Sequence, residues 1–273
     1  MKTSGRPLLY RLLKKLSFYN HFRDEEYQFK IFDFFRAKGF DFKSEPNEIA
    51  LEEGNHLIHI RKKGSDFEVL EQVLFKEEYE ALVDIIKTNN IQVSTLIDAG
   101  ANIGLTTIYL KRYFPSLSAI CIEPDVNNYN ALVKNVKTYS NVTVLNAALW
   151  HQKEDLSIDT SFRGGKDWSL SVTADGSGDL VQGLTVSDLI ADFGLKTIDI
   201  LKMDIEGAER FILNEQYNDI SFLKLTKVVA IEIHDEFDIR TSIYNLLRSN
   251  GFVLLNSGEL TIGVNTRFHV EHR

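Results

Sequence analysis

The chain has a single cysteine, Cys121, so it cannot form an intrachain disulfide. It also lacks any run of about 18 apolar residues, the length that a membrane-spanning helix requires. The apolar N-terminal stretch 8–18 is interrupted by Arg11, Lys14 and Lys15, which also argues against a secretory signal peptide. These absences predict a cytoplasmic protein.

Positive charge is in deficit as well. The 273 residues include 31 lysines and arginines against 39 aspartates and glutamates, which gives a formal net charge of −8. Because binding a polyanion usually requires a basic face, we expect no nucleic-acid partner. The length and the ordinary composition allow a full hydrophobic core.

The third glycine of a dinucleotide-binding turn is also missing. An apolar strand, 94–98, ends on Asp98 and is followed by Gly100, Asn102 and Gly104 and then by a helical pattern. A dinucleotide site needs G-x-G-x-x-G, because its pyrophosphate lies against bare backbone at a helix N-terminus. The Asp98 carboxylate would repel a diphosphate and attract the ammonium of a methionine moiety. The turn therefore favours S-adenosylmethionine, bound by these four residues.

A second acidic residue supports the same cofactor. Glu123 ends the next apolar strand, about 20 positions after the glycine turn, where an acid accepts both ribose hydroxyls in such folds. We add Pro124, Asn146 and Ala147 as cofactor-binding candidates. The alternative is that the turn is only structural and that residues 123–125 cap the next helix.

From residue 94 onward, strand and helix patterns alternate, which predicts a mostly parallel α/β sheet with helices on both faces. We expect a catalytic domain over 93–273 and an N-terminal helical and β-hairpin extension over 1–92, with hairpin strands at 48–52 and 56–61. A helix over 239–249 precedes the last two strands. The predicted strands of the sheet are 94–98, 118–123, 142–146, 198–203, 228–233, 251–256 and 266–271.

The extension begins with an amphipathic stripe over 8–18 that is basic on its other face. We expect this helix to pack on its own protein, and peripheral contact with an anionic membrane is the alternative. A second helix, 27–37, is aromatic-rich and is expected in the core or at a surface between two copies of the chain.

Two further segments carry a recognisable pattern. Residues 200–209 read Ile-Leu-Lys-Met-Asp-Ile-Glu-Gly-Ala-Glu, and residues 64–79 include Gly-Ser-Asp and Glu-Tyr. Together with Asp98 to Gly104, they resemble the FkbM-type family of S-adenosylmethionine-dependent methyltransferases over roughly 64–235. The resemblance implies a Rossmann-like class I methyltransferase fold with seven strands. It also implies O-methylation of a hydroxyl on a sugar, a polysaccharide or a secondary metabolite, so the partner is a small-molecule or glycan acceptor.

The reacting groups are expected where parallel strands end. Asp204 closes one strand and His234 closes another, so both project at the edge where ligands lie in open α/β sheets. A histidine and a carboxylate can take a proton from an attacking hydroxyl, and Glu206 is a candidate substrate contact. The structural alternatives are a helix cap for Asp204 and a hydrogen-bonded strand end for His234. Lys202 is expected to pair with an acid.

Asp204, Glu232 and His234 offer oxygen and nitrogen ligands but no tight spacing, so we predict no metal site. Residues 151–183 form a long polar insertion around Trp168 and are expected to cover the substrate mouth together with the N-terminal helices, with Trp168 as an aromatic platform. Two rival functions stay open: a nicotinamide-dependent oxidoreductase, and a non-catalytic protein that retains the cofactor pocket.

Overall fold

A computed structural model describes residues 33, 35–37, 39–53, 56–62, 64–159, 171–173 and 180–268. The chain divides into two compact units, Met1–Ile58 and His59–Arg273. The predicted domain boundary at 92/93 stays a prediction. The amphipathic stripe 8–18 lies outside the described residues. Of the aromatic-rich segment 27–37, positions 33 and 35–37 are helical.

The elements follow the predicted alternation of strands and helices. A π-helical turn, Glu71–Phe75, directly follows the helix Asp66–Leu70. The helices are α1 (Asp66–Leu70), α2 (Glu80–Thr88), α3 (Leu105–Tyr113), α4 (Val126–Val136), α5 (Val186–Asp192), α6 (Glu209–Ile212) and α7 (Arg240–Ser249). The strands are β1 (Asp41–Ser44), β2 (Glu48–Glu53), β3 (His56–Arg61), β4 (Thr95–Ala99), β5 (Ser118–Ile122), β6 (Val142–Leu145), β7 (Ala147–Leu149), β8 (Asp155–Asp159), β9 (Ser171–Thr173), β10 (Leu180–Leu184), β11 (Ile198–Met203), β12 (Thr226–Glu232), β13 (Phe252–Ser257) and β14 (Leu260–Asn265).

Seven strands form the main sheet, in the order β13-β14-β12-β11-β4-β5-β6. The five strands from β12 to β6 are parallel, and β14 runs antiparallel to both of its neighbours. This arrangement confirms the predicted α/β class with a mostly parallel, seven-stranded, Rossmann-like sheet. The connections reverse direction between β4 and β11, and open α/β sheets bind their ligands at such a switch point.

The predicted last strand, 266–271, is wrong at residues 266–268, which form a short 3-10 helix, and its remaining positions lie outside the described residues. The last strand that the structure describes is β14. The reason is a tight turn: Gly258 has φ of +63° and brings β14 back along β13 immediately. The sequence pattern predicts strands at 251–256 and 266–271 and assigns no strand to the residues between them.

Two smaller sheets complete the described structure. The predicted hairpin is confirmed, since β2 and β3 are neighbours in a three-stranded sheet with β1. Part of the predicted insertion 151–183 is also β-structure, in a sheet ordered β7-β10-β8-β9. Trp168 lies outside the described residues, so its role as a platform, like the covering of the substrate mouth, stays a prediction.

Most residues of the central parallel strands β4, β5, β11 and β12 are buried apolar side chains, as expected of strands inside an α/β sheet. All six residues of β11 are buried, including Lys202. Cys121 is a buried free thiol, as expected of a small core residue. No helix among the described residues is long and apolar enough to cross a membrane.

One carboxylate joins the amino ends of three neighbouring strands. Asp199 on β11 accepts hydrogen bonds from the backbone N–H groups of Ser94 and Thr95 at the start of β4, at 2.6 and 3.0 Å. Its other oxygen lies 2.8 Å from the ammonium of Lys227 on β12. Burial would raise the pKa of Asp199, but these donors lower it below its usual value. Its stabilising contribution is therefore present at neutral pH and is lost in acid, as the pH falls through that lowered pKa.

We expect Asp199→Ala to lower the free energy of unfolding by about 2–4 kcal/mol, because it removes the acceptor of two partly buried N–H groups and the ion pair with Lys227. Urea denaturation measures the change. The exposed Asp192 at the end of α5 is the control, and Asp192→Ala should stay within about 0.5 kcal/mol of wild type. Equal losses in the two variants would contradict this role for Asp199.

Candidate active site

The glycine turn after β4 is in direct contact with the segment that follows β11. Gly100 has φ of +71°, and a Cβ added there would collide with the backbone carbonyl of Asp204. The backbone N–H of Asp204 in turn donates to the carbonyl of Ala99 at 3.2 Å. The two segments that the sequence assigned to cofactor and to chemistry therefore meet backbone to backbone.

The second glycine is fixed by helix packing. Gly104 has φ of +89°, and a Cβ there would lie 2.6 Å from a methyl group of Leu132 on α4. Asn102, between the two glycines, also has a positive φ of +50°. Asparagine tolerates that left-handed conformation better than most residues. The positions of both glycines are thus explained by the protein's own packing, independently of a ligand.

Asp98 is buried and faces the inside of the protein. One of its oxygens accepts a hydrogen bond from the hydroxyl of Thr107 at 2.7 Å, and the other lies 3.4 Å from the ammonium of Lys202. Lys202 also donates to the carbonyl of Gly100 at 2.7 Å. The sequence placed Asp98 next to a cofactor ammonium, whereas the structure places the chain's own ammonium there. Lys202 is paired with an acid, as expected.

Glu123 follows β5 and supports the same turn. Its two carboxylate oxygens accept the backbone N–H groups of Asn102 at 2.8 Å and of Asp125 at 3.0 Å. Burial raises the pKa of Glu123 to about 7, against the lowering effect of those two donors. Each oxygen keeps a second lone pair, so the group can still accept a hydroxyl.

The remaining cofactor candidates lie beside Glu123. The side-chain amide of Asn146 donates to the carbonyls of Glu123 and Pro124, at 3.0 and 2.9 Å. Asn146 itself is exposed, whereas Ala147 is buried as the first residue of β7. The fold therefore brings the predicted cofactor residues of three strand ends to one edge of the sheet.

His234 lies in a pocket of carboxylates after β12. Its Nδ1 atom is 3.1 Å from Glu209 Oε1, and its Nε2 atom is 3.3 Å from Glu206 Oε2. The Nε2 atom is also 4.0 Å from Asp204 Oδ1 and 3.9 Å from Glu232 Oε1. Asp204 and His234 are thus close together, as predicted, but the carboxylates of three further acids also lie within 4 Å of the imidazole.

This pocket changes the role expected of His234. Burial alone would lower the pKa of the imidazole, but the carboxylates of Glu206 and Glu209 reverse that effect and raise the pKa to about 11. A protonated imidazole has no lone pair with which to accept a proton. In the protein by itself the protonated imidazole is therefore favoured, and the role of His234 as a general base stays a prediction.

Asp204 is the most accessible of these acids, with 33% of its side chain exposed. Its Oδ2 atom lies 3.9 Å from Lys202, and Oδ1 faces His234. Glu206, the predicted substrate contact, is 8% exposed and directed at His234. Its positive φ of +52° is unusual for glutamate and marks a backbone held in place by its surroundings.

The sequence did not identify Glu78 and Glu259 as acids near the site, or Glu209 as the residue that holds the His234 ring. Glu78, Glu232 and Glu259 have carboxylate oxygens within 4.8 Å of one another, and Asp204, Glu232 and His234 form a second such group. Burial and the charge of Asp204 raise the pKa of Glu232 to about 8. Glu78 belongs to the segment 64–79 that carried the family resemblance, which was the available signal. Nothing in the pattern marked Glu259, or Glu209 as the partner of His234.

The backbone contact at Gly100 gives a matched pair of substitutions. Gly100→Ala and Gly258→Ala both force alanine into a left-handed conformation, at a cost of about 1–2 kcal/mol each. Only the first also meets backbone, since nothing lies within 4 Å of a Cβ at Gly258. We expect Gly100→Ala to destabilise the protein by about 1–3 kcal/mol more than Gly258→Ala in chemical denaturation. Similar losses would show that the two segments can separate freely.

Three known methyltransferases are similar in sequence to more than half of this chain. It is 27% identical to Methyltransferase sdnD of Sordaria araneosa over 195 residues, which cover 58% of this chain and 73% of that protein. It is 26% identical to Methyltransferase 1 of Beauveria bassiana, over 59% of this chain and 73% of that protein. Identity to the 31-O-demethyl-FK506 methyltransferase FkbM of Streptomyces tacrolimicus is 25%, over 59% and 73% of the two chains. The Methyltransferase FkbM domain matches residues 98–254, more than half of the chain, which therefore belongs to the FkbM family of methyltransferases.

Proposed function

We propose that this methyltransferase uses S-adenosylmethionine to methylate a hydroxyl of a small molecule or glycan. The family membership supports methyl transfer. One relative is named as a 31-O-demethyl-FK506 methyltransferase, a name that indicates an oxygen as the methyl acceptor of that protein. The cofactor, the oxygen specificity and the acceptor class are the parts that need testing.

The observation that carries the proposal is the contact between Gly100 and Asp204 at the switch point of the sheet. It places the turn that would hold the cofactor directly beside the acids of the candidate active site. A cofactor bound along the turn and Glu123 would therefore present its sulfonium end toward Asp204. Proximity of this kind is the main requirement of an in-line displacement.

When bound, S-adenosylmethionine would supply the methyl group for a single displacement by the acceptor oxygen, with S-adenosylhomocysteine as the leaving group. The chain's own task would be to orient the acceptor hydroxyl and to take its proton. Asp204 is the carboxylate with the exposure to orient that hydroxyl and receive its proton. Lys202 would hold the turn in place through Asp98 and the carbonyl of Gly100.

The rival cofactor is a nicotinamide dinucleotide. The turn has two glycines where a dinucleotide site uses three, and both are explained by packing contacts with Asp204 and Leu132. Isothermal calorimetry with S-adenosylhomocysteine and with NAD separates the two cofactors. Binding of NAD alone would overturn the proposal. Cofactor binding without turnover on a broad panel of hydroxylated acceptors would favour the non-catalytic alternative.

Glu123 should carry much of the cofactor affinity through the ribose. We expect Glu123→Ala to weaken S-adenosylhomocysteine binding by about 1–3 kcal/mol, because the ribose hydroxyls lose a charged acceptor. The neighbouring Asp125 is the control, since its side chain caps α4 through the N–H groups of Asn127 and Asn128. Asp125→Ala should cost about 1 kcal/mol of stability and leave the affinity nearly unchanged. Equal affinity in both variants would remove Glu123 from the cofactor site.

The raised pKa of Glu123 predicts a pH dependence of binding. Ribose hydroxyls donate to the ionised carboxylate, and with a pKa of about 7 the group is mostly protonated at pH 6 and mostly ionised at pH 8. Calorimetric affinity for S-adenosylhomocysteine should therefore rise roughly tenfold between pH 6 and pH 8. Glu123→Gln should abolish that rise. A flat profile in the wild type would mean that the ribose does not contact Glu123.

Asp204 should matter for turnover far more than for cofactor binding. We expect Asp204→Asn to lower kcat by about 10²–10⁴-fold, the usual loss of a positioned acid or base, on whichever hydroxylated acceptor the wild type methylates fastest. Calorimetry should show unchanged affinity for S-adenosylhomocysteine. Asp238→Asn makes the same chemical change on an exposed residue and should keep kcat within about twofold. A variant that melts earlier but retains kcat would reduce Asp204 to a structural role.

A further inference from the structure

The carboxylate pocket around His234 has the composition of a cation site. Four side chains from two strand ends converge there, and their nearest atoms are His234 Nε2, Asp204 Oδ1, Glu206 Oε2 and Glu232 Oε1. The three oxygens lie 3.3–4.0 Å from the nitrogen. Ligands that share one small divalent ion lie about 3–4 Å apart, given metal–oxygen distances of about 2.1 Å. The pocket therefore needs no large rearrangement to close around an ion.

The imidazole is held in the orientation of a metal ligand. Glu209 is fully buried, and its Oε1 atom lies 3.1 Å from His234 Nδ1 and accepts the backbone N–H of Ile205 at 3.1 Å. In known metal sites, the ring nitrogen of histidine that does not bind the metal often donates to a carboxylate, which fixes the tautomer and the ring orientation in the same way. The His234 side chain is 1% exposed, and its Nε2 atom has its nearest charge contact with Glu206 Oε2 at 3.3 Å, without hydrogen-bond geometry to any group in the described structure. That buried nitrogen is directed into the group of acids.

The pocket also has an excess of negative charge. Asp204, Glu206, Glu209 and Glu232 surround His234, and the nearby ammonium of Lys202 is already shared with Asp98 and the carbonyls of Ala99 and Gly100. Asp204 is the only one of these acids that also lies near Lys202, at 3.9 Å, so the pocket holds more acidic side chains than basic ones. A divalent ion at Nε2 would take the place of one proton and neutralise more of this charge.

We propose that His234, Asp204 and Glu232, assisted by Glu206, bind a divalent cation of the Mg²⁺ or Mn²⁺ type. Oxygen-rich sites with one imidazole suit such hard ions. The sequence predicted no metal because the ligands are 28 and 30 positions apart, but adjacent parallel strands bring their atoms within 4.8 Å. Asp204 and Glu232 are partly exposed, which leaves one side of the ion open to a ligand.

This inference rests on the proposed function for its chemical purpose. An ion at this place would meet the acceptor hydroxyl beside the cofactor turn and lower its pKa, so that the proton leaves more easily. Asp204 and Glu232 would then act mainly as ligands. Binding of the ion itself can be tested without any acceptor or cofactor.

The full-length chain, treated with chelator and then dialysed, is titrated with MnCl₂ and followed by electron paramagnetic resonance. We expect one bound Mn²⁺ per chain, which Mg²⁺ displaces. Electron spin echo envelope modulation of the bound ion should show coupling to a ¹⁴N nucleus, the signature of the imidazole nitrogen. The absence of saturable binding, or binding without that nitrogen coupling, would overturn the proposal.

Variants locate the ion within the cluster. His234→Ala should abolish the nitrogen coupling, and His234→Ala and Glu232→Gln should each weaken Mn²⁺ binding at least tenfold. Glu259→Gln is the matched control because Glu259 adjoins Glu232 in the other acidic group, and it should change binding less than twofold. A larger loss in Glu259→Gln than in His234→Ala would place the ion in that other group and refute the assignment.

Two controls keep the outcomes separate. Circular dichroism melting confirms that each variant is folded before its binding is interpreted. Calorimetry with S-adenosylhomocysteine in chelator-treated wild type tests the cofactor proposal alone. Cofactor binding without Mn²⁺ binding would reject the metal site and leave the proposed function intact. Mn²⁺ binding without cofactor binding would reject the proposed function and leave the metal site intact.

Discussion

The candidate site depends on the contacts that the buried ammonium of Lys202 makes with two neighbouring segments. It reaches from β11 to Asp98 on β4, to the carbonyl of Gly100 in the glycine turn and toward Asp204. One side chain thereby ties the two central strands together at the edge where ligands bind. A buried charge needs partners of this quality, because breaking such a pair leaves an uncompensated charge in the interior.

These contacts of Lys202 explain why Asp98 and Gly100, the residues that made the turn recognisable, face the inside of the protein. Asp98 is satisfied by Lys202 and Thr107, and Gly100 lies against the backbone of Asp204. The turn is thus organised before any ligand arrives. Preorganisation of this kind lowers the cost of binding, since the protein does not have to order its own backbone around the cofactor.

The sequence was sufficient for the sheet but only partly for the site. Alternating apolar strands and helices predicted six strands of the main sheet correctly, because their periodicity depends on local burial. The last predicted strand is wrong because the left-handed Gly258, within the polar run 256–259, turns the chain back into β14 at Leu260. At the site, strand ends correctly indicated Asp204 and His234 as neighbours.

The protonation state of His234 could not be read in the same way. It depends on Glu206 and Glu209, which are close in space and whose side chains looked like ordinary first-turn acids of a helix. Charge in a buried pocket is set by distances of a few ångströms, and single-sequence patterns do not encode such distances. The same is true of Glu78 and Glu259, which come from distant parts of the chain.

The carboxylate of Asp199 joins β4, β11 and β12 at their amino ends, while Asp204 and His234 lie at the opposite ends of β11 and β12. A six-residue strand separates the two ends by about 17 Å. Ion-pair and hydrogen-bond contacts thus hold these strands together at their amino ends, whereas the candidate active site lies at their carboxyl ends. Substitutions of exposed side chains at the carboxyl ends would leave the contacts of Asp199 in place, so the amino ends can hold the three strands together while the residues around Asp204 vary.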